Sequence, residues 1–238
     1  MPRCIYCREQ ATGKEGAAHI VPEAIFANDV VMPPGSQCDG CNNYLKKLDS
    51  ALASYSGISL WIQAVGLPGK NRKPRLQLGW YQRAREEASH TFTVQPQGIH
   101  HIDTLGEKQV IAVRPPRGWK QSEFHRALHC VAFNMLSRLL TEQQLLDSMF
   151  DKVRNYIRRP RRGEVWPYSA AVLGTQYVPG VDVLLFRGSN WRVLLRFFNQ
   201  VFVVELIPSG VLHQDIVAAA APGVTWHEII GRRSRPVA

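Results

Sequence analysis

The chain has 238 residues, 45% of them apolar, and carries 29 Lys and Arg against 19 Asp and Glu for a formal charge of +10. That apolar content exceeds what an extended, highly charged tail holds and is ample for a packed core, while no run approaches the roughly 18 apolar residues of a membrane span. The excess of cations makes a polyanion the natural partner, a nucleic acid or an anionic surface.

In chain order, residues 1–30 hold short segments around Cys4 and Cys7, a turn at 13–16, and a strand running through His19 to Val21. A Pro33-Pro34-Gly35 loop delivers Cys38 and Cys41. Residues 38–54 read as a helix with Leu45, Leu48 and Leu52 at helical spacing. The chain divides near residue 55 into a short module, 1–55, and a larger α+β domain, 56–238. In the latter, 58–65 is a helix or a short apolar segment and 66–74 a basic linker. Strands are expected at 76–83, 91–94 and 110–113. Residues 122–140 give the clearest helical pattern, with 143–157 as its partner helix. Valine, leucine and phenylalanine then fill 181–186, 191–198 and 201–207, which read as antiparallel strands. The whole is α+β, with no internal repeat.

The pairs Cys4-x-x-Cys7 and Cys38-x-x-Cys41 carry the most chemistry. Each C-x-x-C turn presents two sulfurs to one ion, and two such turns complete a closed tetrahedral zinc site. Four of the five cysteines fall within the first 41 residues, unlike a disulfide framework spread along a secreted domain. With no apolar leader before Cys4, the expectation is a cytoplasmic protein in a reducing compartment. The cations cluster as Lys70, Arg72, Lys73 and Arg75, then Arg154, Arg158, Arg159, Arg161 and Arg162, then Arg232, Arg233 and Arg235. Three clusters behind a metal module favour phosphate contacts over solvated loops.

Cys-x-x-Cys, His19-Ile20-Val21-Pro22-Glu23-Ala24-Ile25, Cys-x-x-Cys-Asn42-Asn43 and a helix together resemble the HNH endonucleases over about residues 4–50. The resemblance implies a ββα-metal nuclease fold on a zinc frame, acting on phosphodiester bonds of DNA, with duplex DNA as partner and restriction or defence among the settings. It implies His19 as general base and Asn42 as a ligand or positioner of Mg2+ or Mn2+, with Asn43 as the alternative. Hydrolysis of a phosphodiester needs a base for the water and a cation against the phosphate charge, so the residue types suit the chemistry. The family places an acidic or other metal-binding residue before the histidine, where this chain has Ala18, and a methyl group binds no cation. Three readings follow: a natural inactive relative, an engineered inactive variant, or an enzyme using another carboxylate such as Glu15 or Glu23.

Other residues carry blander readings. Asn42 and Asn43 also suit helix capping. His100, His101 and Asp103 form a cluster, yet adjacent histidines of a strand point to opposite faces, which argues against a common site. His125 and His129 are one helical turn apart, a spacing that suits a metal but more often marks core histidines. Trp166, Trp191, Phe197 and Phe198 read as core rather than base-stacking platforms. Against the nuclease stands a zinc-containing nucleic-acid-binding protein without hydrolytic activity. A third reading gives the C-terminal region to oligomerisation or to a protein partner.

Overall fold

The structure, a computed structural model, describes residues 2–11, 18–25, 30–64, 79–83, 90–94, 99–105, 108–113, 118–172, 181–186, 191–208, 226–230 and 233–237. Its elements follow in chain order as α1 (Asp39–Ala53), α2 (Ser56–Ala64), β1 (Gly79–Arg83), β2 (His90–Val94), β3 (Ile99–Leu105), β4 (Lys108–Val113), α3 (Gln121–Leu136) and α4 (Glu142–Leu145). A 3-10 turn (Ser148–Phe150), α5 (Asp151–Arg158), β5 (Tyr168–Val172), β6 (Val181–Phe186), β7 (Arg192–Phe197), β8 (Gln200–Glu205), β9 (Trp226–Ile230) and β10 (Arg233–Val237) complete it. The class is α+β. Six strands form one sheet in the order β10-β9-β5-β8-β7-β6, every pairing antiparallel. Two separate hairpins, β1-β2 and β3-β4, precede α3.

Alternating and continuous apolar runs explain the sheet. Val193, Leu194 and Leu195 on β7 and Val201–Val204 on β8 are buried, with α3 packed against both strands. The chain turns there through Phe198 at φ 57°, a left-handed conformation for a phenylalanine whose ring is fully buried.

α3 is the central helix. Phe124, Leu128, Val131, Ala132, Phe133 and Leu136 bury nearly all its circumference, as expected for a helix with neighbours on several sides. It packs against α1, α5, β7 and β8. α1 meets it through Leu45, Leu48 and Leu52, each worth about 1.5–3 kcal/mol of burial. One apolar core therefore runs from Cys4, Ile5 and Ile20 through α1 and α3 to Phe202 and Leu206, across the boundary expected at residue 55.

The expected partner helix over 143–157 is instead three short pieces. Thr141 and Gln144 close a capping box that starts α4, and Asp147 accepts from the Met149 amide at 2.7 Å to start the 3-10 turn. These local side-chain bonds compete with the helical ladder and win. α3 likewise stops at Leu136 rather than 140, where the Ser137 hydroxyl donates to the Asn134 carbonyl at 2.6 Å. Ile99–Leu105, Tyr168–Val172, Trp226–Ile230 and Arg233–Val237 are strands that periodicity did not reveal.

Candidate metal centre and nucleic-acid interface

Cys4 and Cys7 sit on a tight hairpin. Arg3 bridges Gln10 antiparallel, the Cys4 amide donates to the Glu9 carbonyl at 2.9 Å, and the Arg8 amide returns to the Cys4 carbonyl at 2.9 Å. Closing this turn puts Arg8 at φ 64°, a conformation costing a non-glycine residue about 1–2 kcal/mol. Its guanidinium is held by Asp151 and by the Leu146 carbonyl at 3.0 Å. The second pair arrives on a turn from Pro33 to Ser36, with Gly35 at φ 80° where that turn demands a residue free to go left-handed. The Ile5 amide donates to Ser36 at 2.9 Å, stitching the two cysteine segments together.

Cys38 is the N-cap of α1 and Cys41 lies in its first turn, where unpaired amides and the helix dipole favour thiolate. The sulfurs of Cys4, Cys7, Cys38 and Cys41 all lie within 4.8 Å of one another, and Cys7 Sγ is 3.6 Å from Cys38 Sγ. Tetrahedral zinc with sulfurs at about 2.3 Å sets them about 3.8 Å apart, so the group fits a closed thiolate metal site consistent with structural zinc. The protons are shared unequally. A hydrogen bond from Cys41 and the amides of Cys38, Cys7 and Tyr6 outweigh burial and lower the Cys4 thiol to about 4. Its bond to Cys4 pushes Cys41 up, while burial raises Cys7 to about 11. A cation at the centre removes that inequality by favouring all four thiolates.

Residues 18–20 and 30–32 form a minimal antiparallel pair: His19 bridges Val31, the Ile20 amide donates to Val30 at 2.9 Å and the Met32 amide to Ala18 at 2.7 Å. A full strand through Val21 is not formed. α3 supports this pair through Asn134, whose carboxamide donates to the His19 carbonyl at 3.5 Å and accepts from Tyr6 Oη at 2.5 Å. Tyr6 follows Ile5 in the cysteine hairpin, so one buried polar link joins the metal centre, α3 and the histidine segment. The His19 and Asn42 side chains are half-buried, and neither hydrogen-bonds to another described residue. Asn42 immediately follows Cys41 inside α1.

No protein-family model, curated protein or solved structure matches this chain. Among the described residues the cysteine group is the one cluster of three or more His, Cys, Asp and Glu with metal-binding spacing, and no helix is long and apolar enough to cross a membrane.

The other sequence candidates fall in different places. Lys70, Arg72, Lys73, Arg75, Glu15 and Arg232 lie outside the described residues. Arg159, Arg161 and Arg162 are exposed and Arg158 is half-buried. Arg154 is not a phosphate contact. Only 3% exposed, it donates from Nε to the Ile5 carbonyl at 2.7 Å and from Nη1 to the Asp147 carbonyl and Asp151 carboxylate at 3.1 and 2.5 Å, and also reaches the Leu145 carbonyl. Of these carbonyls, that of Leu145 ends α4 and needs a donor. Asn42 and Asn43 do not cap α1, whose N-cap is Cys38; Asn43 accepts from Lys46 at 2.6 Å. Glu23 is exposed. A register shift between Ile99 and His101 interrupts the strict alternation expected around His100. His125 and His129 are core histidines: His125 packs edge-on to Tyr168, and burial lowers it to about 4, while His129 stands edge-on to the stacked rings of Tyr156 and Trp166.

Sequence reasoning missed three groups. Tyr44, Lys46 and Lys47 extend the cationic surface along α1. Arg126, buried in α3, donates to the Ile157 carbonyl at 3.0 Å and to Tyr44 Oη at 3.3 Å. Burial opposes ionisation of Tyr44, yet bonds from Arg126 and Lys47 lower it overall. Asp49 is a half-buried carboxyl raised to about 7 by burial, with Lys46 opposing. It stands seven residues after Asn42, two turns along the same side of α1, and that spacing was the signal available in the sequence.

Proposed function

We propose that the chain is an endonuclease of the HNH type, a zinc-stapled ββα-metal module joined to an α+β region, built to hydrolyse phosphodiester bonds of DNA. One observation carries this reading: around a four-thiol cluster, an antiparallel pair containing His19 is followed by a helix whose first turns hold Cys41 and Asn42. That is the order of parts the resemblance implies. The Asn134 link fixes the backbone of the histidine segment to α3, so an imidazole at position 19 has a supported position from which to take a proton from water.

A hard divalent ion, Mg2+ or Mn2+, supplies charge neutralisation at the phosphate in such enzymes. The residues present do not make a good site for one, since Asn42 offers a single neutral oxygen and Ala18 none, whereas such ions take oxygen ligands in number. The reading is therefore of a nuclease frame depleted at position 18. Ala18→Asp is expected to give Mg2+- or Mn2+-dependent cleavage of supercoiled plasmid that disappears in Ala18→Asp/His19→Ala. If Ala18→Asp binds DNA but never cuts it, the nuclease reading falls, and the chain is a zinc-containing DNA-binding protein. The methyl group at position 18 is what favours that second reading.

A further inference from the structure

We propose that the outer face of α1 and the loop after α5 form one continuous strip that binds the phosphate backbone of duplex DNA; the choice of duplex DNA rests on the function proposed above. The two segments are far apart in sequence. They are joined in space by Tyr44, whose hydroxyl donates to the Arg158 carbonyl while accepting from Arg126, which in turn holds the Ile157 carbonyl. Lys46 and Lys47 project from α1 on one side of this junction, and Arg158, Arg159, Arg161 and Arg162 follow it on the other.

Among the described residues, no carboxylate holds the charges of the strip. Lys46 is steadied by the Asn43 carboxamide and Lys47 lies 4.0 Å over the Tyr44 ring, contacts that orient an ammonium without neutralising it. Among the described residues none of the six cations is in an ion pair, although Asp49 lies near enough to feel Lys46. The two carboxylates nearest the Arg158–Arg162 segment in sequence are engaged, Asp151 by Arg8 and Arg154, Glu164 by the Arg161 amide and the Trp166 indole, while α1 carries Asp39 in its first turn. Six cations on two elements locked together, none of them ion-paired among the described residues, match the closely spaced phosphates of a duplex better than a single acidic side chain. The strip includes the helix that carries Cys41 and Asn42, so a bound backbone runs beside the segment proposed to cut.

The test is fluorescence anisotropy of a labelled random-sequence duplex with the full chain, zinc retained, no added Mg2+, between 50 and 200 mM salt. Six phosphate contacts predict a slope of log affinity against log salt of about −5, close to a thousandfold loss over that range. Lys46→Ala/Lys47→Ala is expected to make the slope shallower by about 2, and Arg159→Ala/Arg161→Ala/Arg162→Ala by about 3. Zinc content and circular dichroism confirm that each variant is folded, and Lys120→Ala, an exposed cation already paired with Glu123, serves as the control. An unchanged slope in either folded variant overturns the strip, as does equal loss in the control. Tighter binding to a single-stranded RNA or an acidic peptide of matched charge overturns the assignment to duplex DNA. Cleavage by Ala18→Asp with slopes unaffected by these substitutions sinks the strip alone; normal slopes with no cleavage sink the nuclease alone.

Discussion

Asp49 and Arg154 are the side chains whose surroundings demand most of them. Burial raises the Asp49 carboxyl from 3.8 to about 7, so the folded chain holds a proton that the unfolded chain has already released across that interval. The folded state thus binds more protons between about pH 4 and pH 7, and stability falls as pH rises through this window. Asp49→Asn is expected to melt several degrees above the parent at pH 8 and together with it near pH 4, by circular dichroism across the pH series. A parent that melts higher than the Asn variant at pH 8 would show the carboxylate to be favourably paired. Arg154 is the opposite case, a buried cation with all three of its guanidinium nitrogens hydrogen-bonded. Arg154→Lys keeps the charge but not the geometry, and is expected to cost about 3 kcal/mol in urea unfolding, from charge-assisted bonds lost and carbonyls left buried. The run Arg154, Arg158, Arg159, Arg161, Arg162 looks uniform as a sequence, and only packing separates its first member from the rest. Charge is legible in one dimension; whether a guanidinium faces solvent or three carbonyls is not.

At the scale of elements, what could be read followed from strong local periodicity. The leucines of α1 and the apolar circumference of α3 announced two helices whose bounds the structure moves by only a few residues. The segment after α3 failed because its apolar spacing is helical while Thr141 and Asp147 impose caps that cut it. The four cysteines were legible because metal chemistry constrains their spacing, and the Pro33-Pro34-Gly35 loop because its turn needs those residues. The Asn134 link to His19 was not, since it joins residues 115 apart on a helix and a bridge. The cysteine elements also give a direct prediction. One zinc per chain is expected by inductively coupled plasma mass spectrometry, falling to none in Cys4→Ser/Cys41→Ser, and iron or a mixed metal content would count against a structural zinc site.

Across the whole molecule, the continuous core has a thermodynamic consequence. Cys4, Ile5, Tyr6, Ile20 and Leu48 are buried with the same cluster as Phe124, Phe133, Tyr156 and Phe202, so the metal module and the central helices share interior surface. Metal binding energy is then folding energy for this entire body rather than for a detached finger. Slow chelation is expected to lower one cooperative transition seen alike by far-ultraviolet circular dichroism and tryptophan fluorescence. Two separated transitions, of which only the first responds to chelator, would restore an independent module at 1–55.

The bond from Arg154 to the Ile5 carbonyl reaches back 149 residues, and it has a consequence for the order in which a growing chain finds its shape. All four thiols have been made by residue 41, yet the side chain that seats their hairpin leaves the ribosome on the order of ten seconds later. Through that interval the nascent segment can take its metal while Ile5, Tyr6, Leu45 and Leu48 still lack the surface that covers them. A chain that takes its metal in that interval carries it while those apolar side chains are still uncovered, for a time set by translation rather than by chemistry.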